Sequence, residues 1–278
     1  MPAIFDDTPL QYGLHARCPG ESLHPNLWDR LIFAFCPALM GPGGIYDLAT
    51  PQLYHTLNNG ANVSWRPSPH GRAWGGEQAV QSNNPTAYYA IVGAQTTPAK
   101  VKFDPPLSFA CLCWWDGAQT IHLFNTDAYT TFPAIRVRGF TFLLDSASLV
   151  AYLLAGNALL NEALCPNVAT NVTPPMSEWF SIVWTCTGQP IAAANTRCWI
   201  NGVEDTPLTD NAGVVNAVHA AASTANVNGT GPAVGTGTGK VHIDTMLYYN
   251  RILSPDEAMQ LSYDMLAPFR LADFNLKG

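Results

Sequence analysis

The chain has 278 residues, a formal net charge of -7 and only 12% charged residues. Its 13 Lys and Arg are scattered rather than gathered into the basic patch of a nucleic-acid-binding protein, so neither DNA nor RNA is an expected partner. With 47% hydrophobic residues the chain can bury a sizeable core. Because no run of about 18 apolar residues occurs, no membrane span is expected.

Residues 1–27 are predicted to form an extended arm rather than a folded domain. Pro2, Pro9, Pro19 and Pro25 interrupt this segment, and its apolar residues follow no helical or strand period. The segment carries acidic residues early and has neither the basic region nor the apolar core of a secretory signal peptide. We therefore expect synthesis and folding in a cytoplasm.

Short strands are predicted after the arm. Residues 31–36 are apolar, and Pro37 ends them. Residues 108–115 read SFACLCWW, and side chains of a strand point alternately to the two faces of a sheet. Only one of Trp114 and Trp115 can therefore face the core, while the other is exposed or covered by a partner subunit.

Two strand pairs are predicted in the second half of the chain. Residues 140–144 and 149–154 flank the turn Asp145-Ser146-Ala147. Residues 179–187 and 196–203 form the second pair, and the latter run contains Asn201-Gly202, a tight hairpin signal.

The last quarter of the chain predicts a strand followed by a helix. Residues 240–249 alternate and are rich in β-branched and aromatic side chains. Ser254 is a good N-cap, Pro255 suits the first helical position, and Glu257 completes a capping box. Pro268 ends the helix. The apolar stripe predicted for this helix consists of Ala258, Leu261 and Met265, with Met259 and Leu266 beside it.

Seven cysteines occur without the C-x-x-C spacing of a zinc site. Cys111 and Cys113 stand two apart on one strand, and we expect them to be buried free thiols that behave as small apolar side chains. A disulfide between Cys186 and Cys198 is the alternative for that pair, and it would need an oxidising compartment.

The strand, turn and capped helix of the last quarter resemble the C-terminal signature of LamG-like, concanavalin A-type jelly-roll domains. The matching residues are Ile243, Asp244, Tyr249, Asn250, Arg251, Leu253, Ser254 and Glu257. Weaker matches lie within residues 45–76 and 179–202. The resemblance implies an all-β fold, an antiparallel two-sheet jelly-roll sandwich with a short C-terminal helix. It also implies a domain over residues 28–270, followed by a tail over 271–278.

Glycosidases that share this fold carry paired carboxylates in an E-x-D-x-x-E strand. A retaining mechanism needs two carboxyl groups about 5 Å apart, and none of the six Glu of this chain has an Asp two places on. The motifs G-x-S-x-G and H-E-x-x-H are also absent from the sequence. We therefore expect no catalytic residues and no enzymatic activity.

Aromatic rings can stack on the apolar faces of sugars. Trp65, Trp114 and Trp115, together with Asp116, are the candidates for such a glycan-binding platform. The alternative is that these rings are buried in a sheet or a subunit interface.

Calcium is the one cofactor that the resemblance suggests, because many relatives hold Ca²⁺ through carboxylate and carbonyl oxygens of loops. Asp47, Asp127 and Asp145 are the candidate ligands, with Asp210 as a further acid in a loop. The alternative is that each of these residues forms a turn.

Two functions from different classes fit the sequence. Chains of this kind resemble structural virion proteins of tailed phages, such as capsid decoration, head-fibre or tail-associated proteins. That function implies localisation in the virion, homo-oligomers, and the major capsid protein or tail proteins as partners. The alternative is a carbohydrate-binding, lectin-like module that recognises a host glycan on the cell surface.

Overall fold

The computed structural model describes residues 27, 29–35, 45–46, 49, 54–58, 63–69, 71–77, 88–92, 105–118, 120–125, 140–155, 167–188, 191–211, 225–227 and 240–266. In chain order the strands are β1 (Leu31–Phe35), β2 (Ile45–Tyr46), β3 (Tyr54–Asn58), β4 (Val63–Ser68), β5 (Gly71–Glu77), β6 (Tyr88–Val92), β7 (Leu107–Trp115), β8 (Ile121–Asn125), β9 (Phe140–Asp145), β10 (Val150–Ala155), β11 (Asn167–Ala169), β12 (Trp179–Cys186), β13 (Thr196–Ile200), β14 (Val203–Asp205), β15 (Thr209–Asn211), β16 (Ala225–Val227) and β17 (Lys240–Tyr249). A short 3₁₀ helix spans Ala193–Asn195, and the helix α1 spans Pro255–Leu266.

The strands form two antiparallel sheets. The first sheet has the order β14-β13-β12-β7-β17-β5-β4, and β1 also pairs with β17. The second sheet has the order β15-β11-β10-β9-β8-β16-β6-β3-β2. The predicted fold class is confirmed: the protein is an all-β jelly-roll sandwich with one short C-terminal helix.

The main core lies between the two sheets and is rich in aromatic rings. Phe109 of β7 stacks on Phe142 of β9 with ring centroids 4.0 Å apart, and Phe124 and Tyr248 pack around this pair. Trp115 belongs to the same cluster and is fully buried. The predicted alternation of β7 is therefore confirmed, with its odd-numbered residues facing the second sheet.

A second apolar cluster lies on the outer face of the first sheet, under α1. Ala258, Leu261 and Met265 of the helix pack there against Val183 and Trp199. Because both faces of the first sheet are covered in this region, all nine residues of β7 are buried. Leu27, the described end of the predicted arm, is also buried in this cluster; residues 1–26 and 267–278 lie outside the described residues.

The predicted capping box of α1 is present. The Glu257 backbone N–H donates to Ser254 Oγ over 3.2 Å, and the Ser254 N–H donates to Glu257 Oε2 over 2.8 Å. Met259 does not join the buried stripe and stays 42% exposed, because it points away from the sheet, whereas Leu266 is partly buried against the outer cluster. Among the described residues, no helix is long and apolar enough to cross a membrane.

Both predicted strand pairs form: β9 pairs with β10 beyond Asp145, and β12 pairs with β13. The run predicted as one strand over residues 196–203 is divided at Asn201-Gly202, which forms a second hairpin between β13 and β14. Both turn residues of the second hairpin have positive φ, 51° and 79° respectively, as a type I′ turn requires.

Four described cysteines are buried free thiols: Cys111, Cys113, Cys186 and Cys198. The alternative disulfide is absent, because Cys186 lies opposite Thr196 in the register and Cys198 lies opposite Trp184. Burial raises the pKa of the Cys111, Cys186 and Cys198 thiols, which keeps them protonated and unreactive. Cys18, Cys36 and Cys165 lie outside the described residues.

Candidate functional site

A cleft of about 760 Å³ opens at the β14 edge of the first sheet, beside the start of α1. We call it the edge cleft; the lining residues that can hydrogen-bond a ligand include Thr185, Arg197, Glu204, Asp205, Thr206 and Glu257. The register explains how they meet, because Thr185 lies directly opposite Arg197 and Glu204 lies opposite Trp199. Arg197 and Trp199 alternate with core-facing Cys198, so Arg197 and Glu204 approach the cleft from the outer face of the sheet. Asp205 lies opposite Cys198 and approaches it from the core-facing side.

Hydroxyl groups line one part of the edge cleft. Thr187 Oγ1 donates to the Asn195 backbone carbonyl, and Thr196 Oγ1 donates to Asn195 Oδ1, each over 3.2 Å. Thr185 lies between these groups and the start of α1, and its hydroxyl makes no hydrogen bond to any residue that the structure describes. Thr185 is only 2% exposed, so a ligand can reach its hydroxyl only from the cleft, where no protein partner has to be displaced.

The carboxylates of the edge cleft are held in place by their own partners. Arg197 Nε lies 2.8 Å from Glu204 Oε1, and Arg251 binds both oxygens of Glu257 at 2.8 and 2.9 Å. Asp205 Oδ2 accepts the backbone N–H groups of Asn171 and Val172. Glu204 and Glu257 have more lone pairs than these partners occupy, so each can still accept a hydrogen bond from a ligand hydroxyl. Asp205 is only 4% exposed, so its role is to hold the edge in place.

The electrostatics of Glu257 suit binding rather than acid catalysis. The hydrogen bond from Arg251 lowers the pKa of Glu257, although partial burial opposes the shift. A carboxyl group that serves as a general acid at neutral pH needs a raised pKa. Glu257 is shifted in the opposite direction, so it is poorly suited to donate a proton to a leaving group.

Trp114 and Trp115 of the predicted glycan platform lie on opposite faces of β7. Trp115 is fully buried in the core, so it cannot offer a ring face to a ligand. Trp114 lies on the opposite face of β7 and is only 8% exposed, because Arg66 and His242 cover it. The Trp65 backbone pairs with Trp74 in the first sheet, and the Trp65 side chain lies outside the described part of the chain.

Asp116 and Asp145 stabilise turns. Asp116 Oδ1 accepts the Ala118 backbone N–H over 3.0 Å. Asp145 accepts hydrogen bonds from Thr120 Oγ1, the Ser148 hydroxyl and the Ser148 N–H. Partial burial favours the neutral form of Asp145, but these hydrogen bonds outweigh it and lower the pKa. The oxygens of Asp145 are thus engaged by protein donors rather than pointed at a cation site.

Of the remaining calcium candidates, the structure describes only Asp210. Asp210 Oδ1 accepts the Ala193 backbone N–H, and Asp47 and Asp127 lie outside the described residues. Within the described ranges, no group of three or more His, Cys, Asp or Glu residues could hold a metal ion.

Sequence reasoning missed Arg197 and Glu204, although a signal for them exists. The Asn201-Gly202 turn fixes the register of its hairpin, which places Glu204 opposite Trp199. The sequence does not show that α1 returns to this edge and completes the cleft, because that contact joins residues about 60 positions apart.

No family model and no curated protein matches the sequence. Among solved structures, the fold is similar to the binding domain of botulinum neurotoxin DC in complex with rat synaptotagmin II. The TM-score is 0.60 with 9% sequence identity, over 86% of this chain and 52% of that chain. The binding domain of neurotoxin DC in complex with SialylT gives a TM-score of 0.57 with 11% identity, over 86% and 52% of the two chains.

A third similar structure concerns botulinum neurotoxin type C, and its description states that cell entry of this toxin is dependent upon interaction with two ganglioside molecules. Its TM-score is 0.60 with 9% identity, and the match covers 86% of this chain and 52% of that chain. The chain thus spans about half the length of the structures it resembles. At such low identities the likeness concerns the fold alone, and it shows that this fold is a lectin-like β-sandwich.

Proposed function

We propose that the protein is a non-enzymatic, lectin-like binding module and that the edge cleft binds a carbohydrate. The observation that carries this proposal is the combination, in one open cleft, of hydroxyl groups with carboxylates already fixed by Arg197, Arg251 and backbone N–H groups. Sugar hydroxyls both donate and accept hydrogen bonds, so they need such a mixed and pre-positioned set of partners.

The apolar lining of the edge cleft supports the same ligand class. Pro207, Leu208, Ile252 and Pro255 lie beside the polar groups, and they could contact the C–H faces of a sugar ring. The described residues that line the cleft include no aromatic side chain, so in this proposal binding depends on hydrogen bonds rather than on ring stacking. We expect a single sugar to bind weakly, with a Kd of about 1 mM.

The similar solved structures support a binding role rather than a reaction. They are binding domains of neurotoxins, and the type C structure is described as interacting with gangliosides, which carry sugars. The LamG-like signature of residues 243–257 supports the same class of module. Calcium is not needed for the interactions proposed in the edge cleft.

The proposal is tested by a glycan array followed by calorimetry with the glycans that bind. Thr185→Val keeps the shape of the cleft and removes one hydroxyl, so it should weaken binding about five- to tenfold, as the loss of one hydrogen bond does. Thr173→Val is the matched control, because Thr173 is exposed and does not line the cleft. An array without any bound glycan, with or without Ca²⁺, would overturn the proposal.

A second candidate function is a structural virion protein of a tailed phage, in contact with the major capsid protein, tail proteins or copies of itself. Three exposed apolar side chains favour it: Val203, Met259 and Tyr263 are 67%, 42% and 52% exposed. Tyr263 lies against Gly202, the neighbour of Val203, and Met259 precedes Tyr263 by one helical turn. Contiguous exposed apolar surface of this kind marks protein–protein contacts.

Mass photometry distinguishes this second candidate from an independent binding module. We expect the chain to form oligomers that Tyr263→Asp disrupts, and we expect to find the chain in purified particles. A purely monomeric chain that is absent from particles would contradict the virion role and leave carbohydrate binding as the sole candidate.

A further inference from the structure

A second group of polar side chains lies on the outer face of the first sheet, at its β4–β5–β17 side. His242 of β17 lies directly opposite Trp114 of β7 on one side and opposite Gly75 of β5 on the other. Arg66 belongs to β4 and extends over this row to reach Trp114. We call Arg66, Trp114 and His242 the Arg66 site; it is distinct from the edge cleft, whose lining residues it does not share.

The arginine of this site is held flat by an aromatic ring. Arg66 Cζ lies 3.8 Å from the centroid of the Trp114 ring, within stacking distance. His242 meets the same ring edge-on at a centroid distance of 5.6 Å and fixes it from the side. Stacking occupies the faces of a guanidinium but leaves its N–H groups directed outward in the plane.

Arg66 differs from the other described arginines that lie near aromatic rings. Arg197 lies 5.8 Å from the Trp199 ring and pairs with Glu204, and Arg251 lies 5.8 Å from the Tyr249 ring and pairs with Glu257. Arg66 forms no ion pair with any residue that the structure describes. In a chain with a net charge of -7, a positioned arginine without a carboxylate partner calls for an external anion.

We propose that the Arg66 site binds the anionic group, a carboxylate or a sulfate, of an acidic sugar. The guanidinium donates two parallel hydrogen bonds to two oxygens of the anion. Trp114 keeps the guanidinium in the plane that this fork requires. This proposal concerns a different chemical group and different residues from those of the edge cleft. An experiment can therefore contradict one of the two proposals without contradicting the other.

The test compares three ligands that share one sugar ring, glucose, glucuronic acid and glucose 6-sulfate, by calorimetry on the full chain at low salt. Wild type should bind at least one of the two anionic sugars, and bind it more tightly than glucose. The anionic sugar that binds more tightly, glucuronic acid or glucose 6-sulfate, shows whether the site prefers a carboxylate or a sulfate. Arg66→Gln should weaken that binding about ten- to a hundredfold, because it removes charge-assisted hydrogen bonds.

Two further variants separate a built site from a general effect of charge. Arg66→Lys keeps the charge but loses the planar fork, so it should restore only part of the affinity. Arg30→Gln removes the same charge from an exposed position and should leave the affinity within about twofold of wild type. The proposal is overturned if neither anionic sugar binds more tightly than glucose, or if Arg66→Gln and Arg30→Gln weaken binding equally.

Discussion

Arg251 connects three parts of the chain through one side chain. Its guanidinium binds both carboxylate oxygens of Glu257 at the start of α1, and its Nε donates to the Asp29 backbone carbonyl over 2.9 Å. The Arg251 backbone carbonyl accepts the Ser108 hydroxyl over 2.8 Å, which ties the same turn to β7. The residues that match the LamG-like signature thus join the last strand to the helix, and Leu253, Ser254 and Glu257 among them also line the edge cleft.

The ion pair makes stability depend on pH. Because the pKa of Glu257 is lowered from its ordinary value of 4.5, the folded state binds this proton less readily than the unfolded state. The stabilisation is therefore fully present above about pH 4.5 and is lost as the pH falls through the lower folded-state pKa. We expect Glu257→Gln to reduce the free energy of unfolding by about 1 kcal/mol at pH 7, and by less at pH 3. Urea denaturation at both pH values measures this difference.

Asp145 provides the control for that measurement. Its pKa is also lowered, so Asp145→Asn should remove a separate part of the acid sensitivity and leave the part that belongs to Glu257. A Glu257→Gln variant whose stability loss is the same at pH 3 and pH 7 would show that the Arg251 contact is not the source of the pH dependence.

The β13–β14 hairpin and α1 fix each other at the Asn201-Gly202 turn. The Gly202 N–H donates to Ser262 Oγ over 2.7 Å, and the Asn201 side-chain carbonyl accepts the Ser181 N–H over 3.0 Å. Gly202 has a φ of 79°, and an added Cβ would lie 2.6 Å from Tyr263 Cζ. The helix therefore holds in place the strand that carries Glu204 and Asp205 of the edge cleft.

Gly202→Ala should destabilise the protein for two reasons. The left-handed backbone costs a residue with a Cβ about 1–2 kcal/mol, and the Tyr263 ring must move aside. In a Tyr263→Ala background the second cost disappears, so the same substitution should cost less there. Thermal denaturation of the four variants of this double-mutant cycle measures the difference.

Gly188→Ala is the matched control for the turn glycine. No atom lies within 4 Å of an added Cβ at Gly188, and its φ is not in the left-handed region. We expect its melting temperature to stay close to that of wild type. Equal losses at Gly188 and Gly202 would contradict the account of the turn.

Local pattern predicted the elements, but it could not predict their long-range contacts. The β17 strand, the capping box and the Asn201-Gly202 hairpin follow from alternation, caps and turn residues that lie close together in the sequence. By contrast, β1 and β5 lie along the same edge of β17, and the register of β17 with β7 shifts near Asp244. No short-range sequence pattern predicts that arrangement. The same is true of the contact between Arg66 and Trp114, which lie 48 residues apart in the sequence.

At the scale of the whole molecule, the sandwich presents sites without a reactive centre among the described residues. The carboxylates of the edge cleft are each bound by a cation or by backbone N–H groups, and the four described thiols are buried in the core. The hydroxyl and carboxylate groups of the edge cleft are suited to hydrogen-bonding a ligand. We therefore propose that a carbohydrate binds there, at the β14 edge of the first sheet.

Hydrogen–deuterium exchange of the full chain, with and without a glycan that binds on the array, tests this claim most directly. We predict slower exchange in peptides that cover residues 185–187, 195–197 and 204–208, with little change in β9 and β10 of the second sheet. Protection confined to the second sheet, or recovery of the glycan in cleaved form after incubation, would contradict the account.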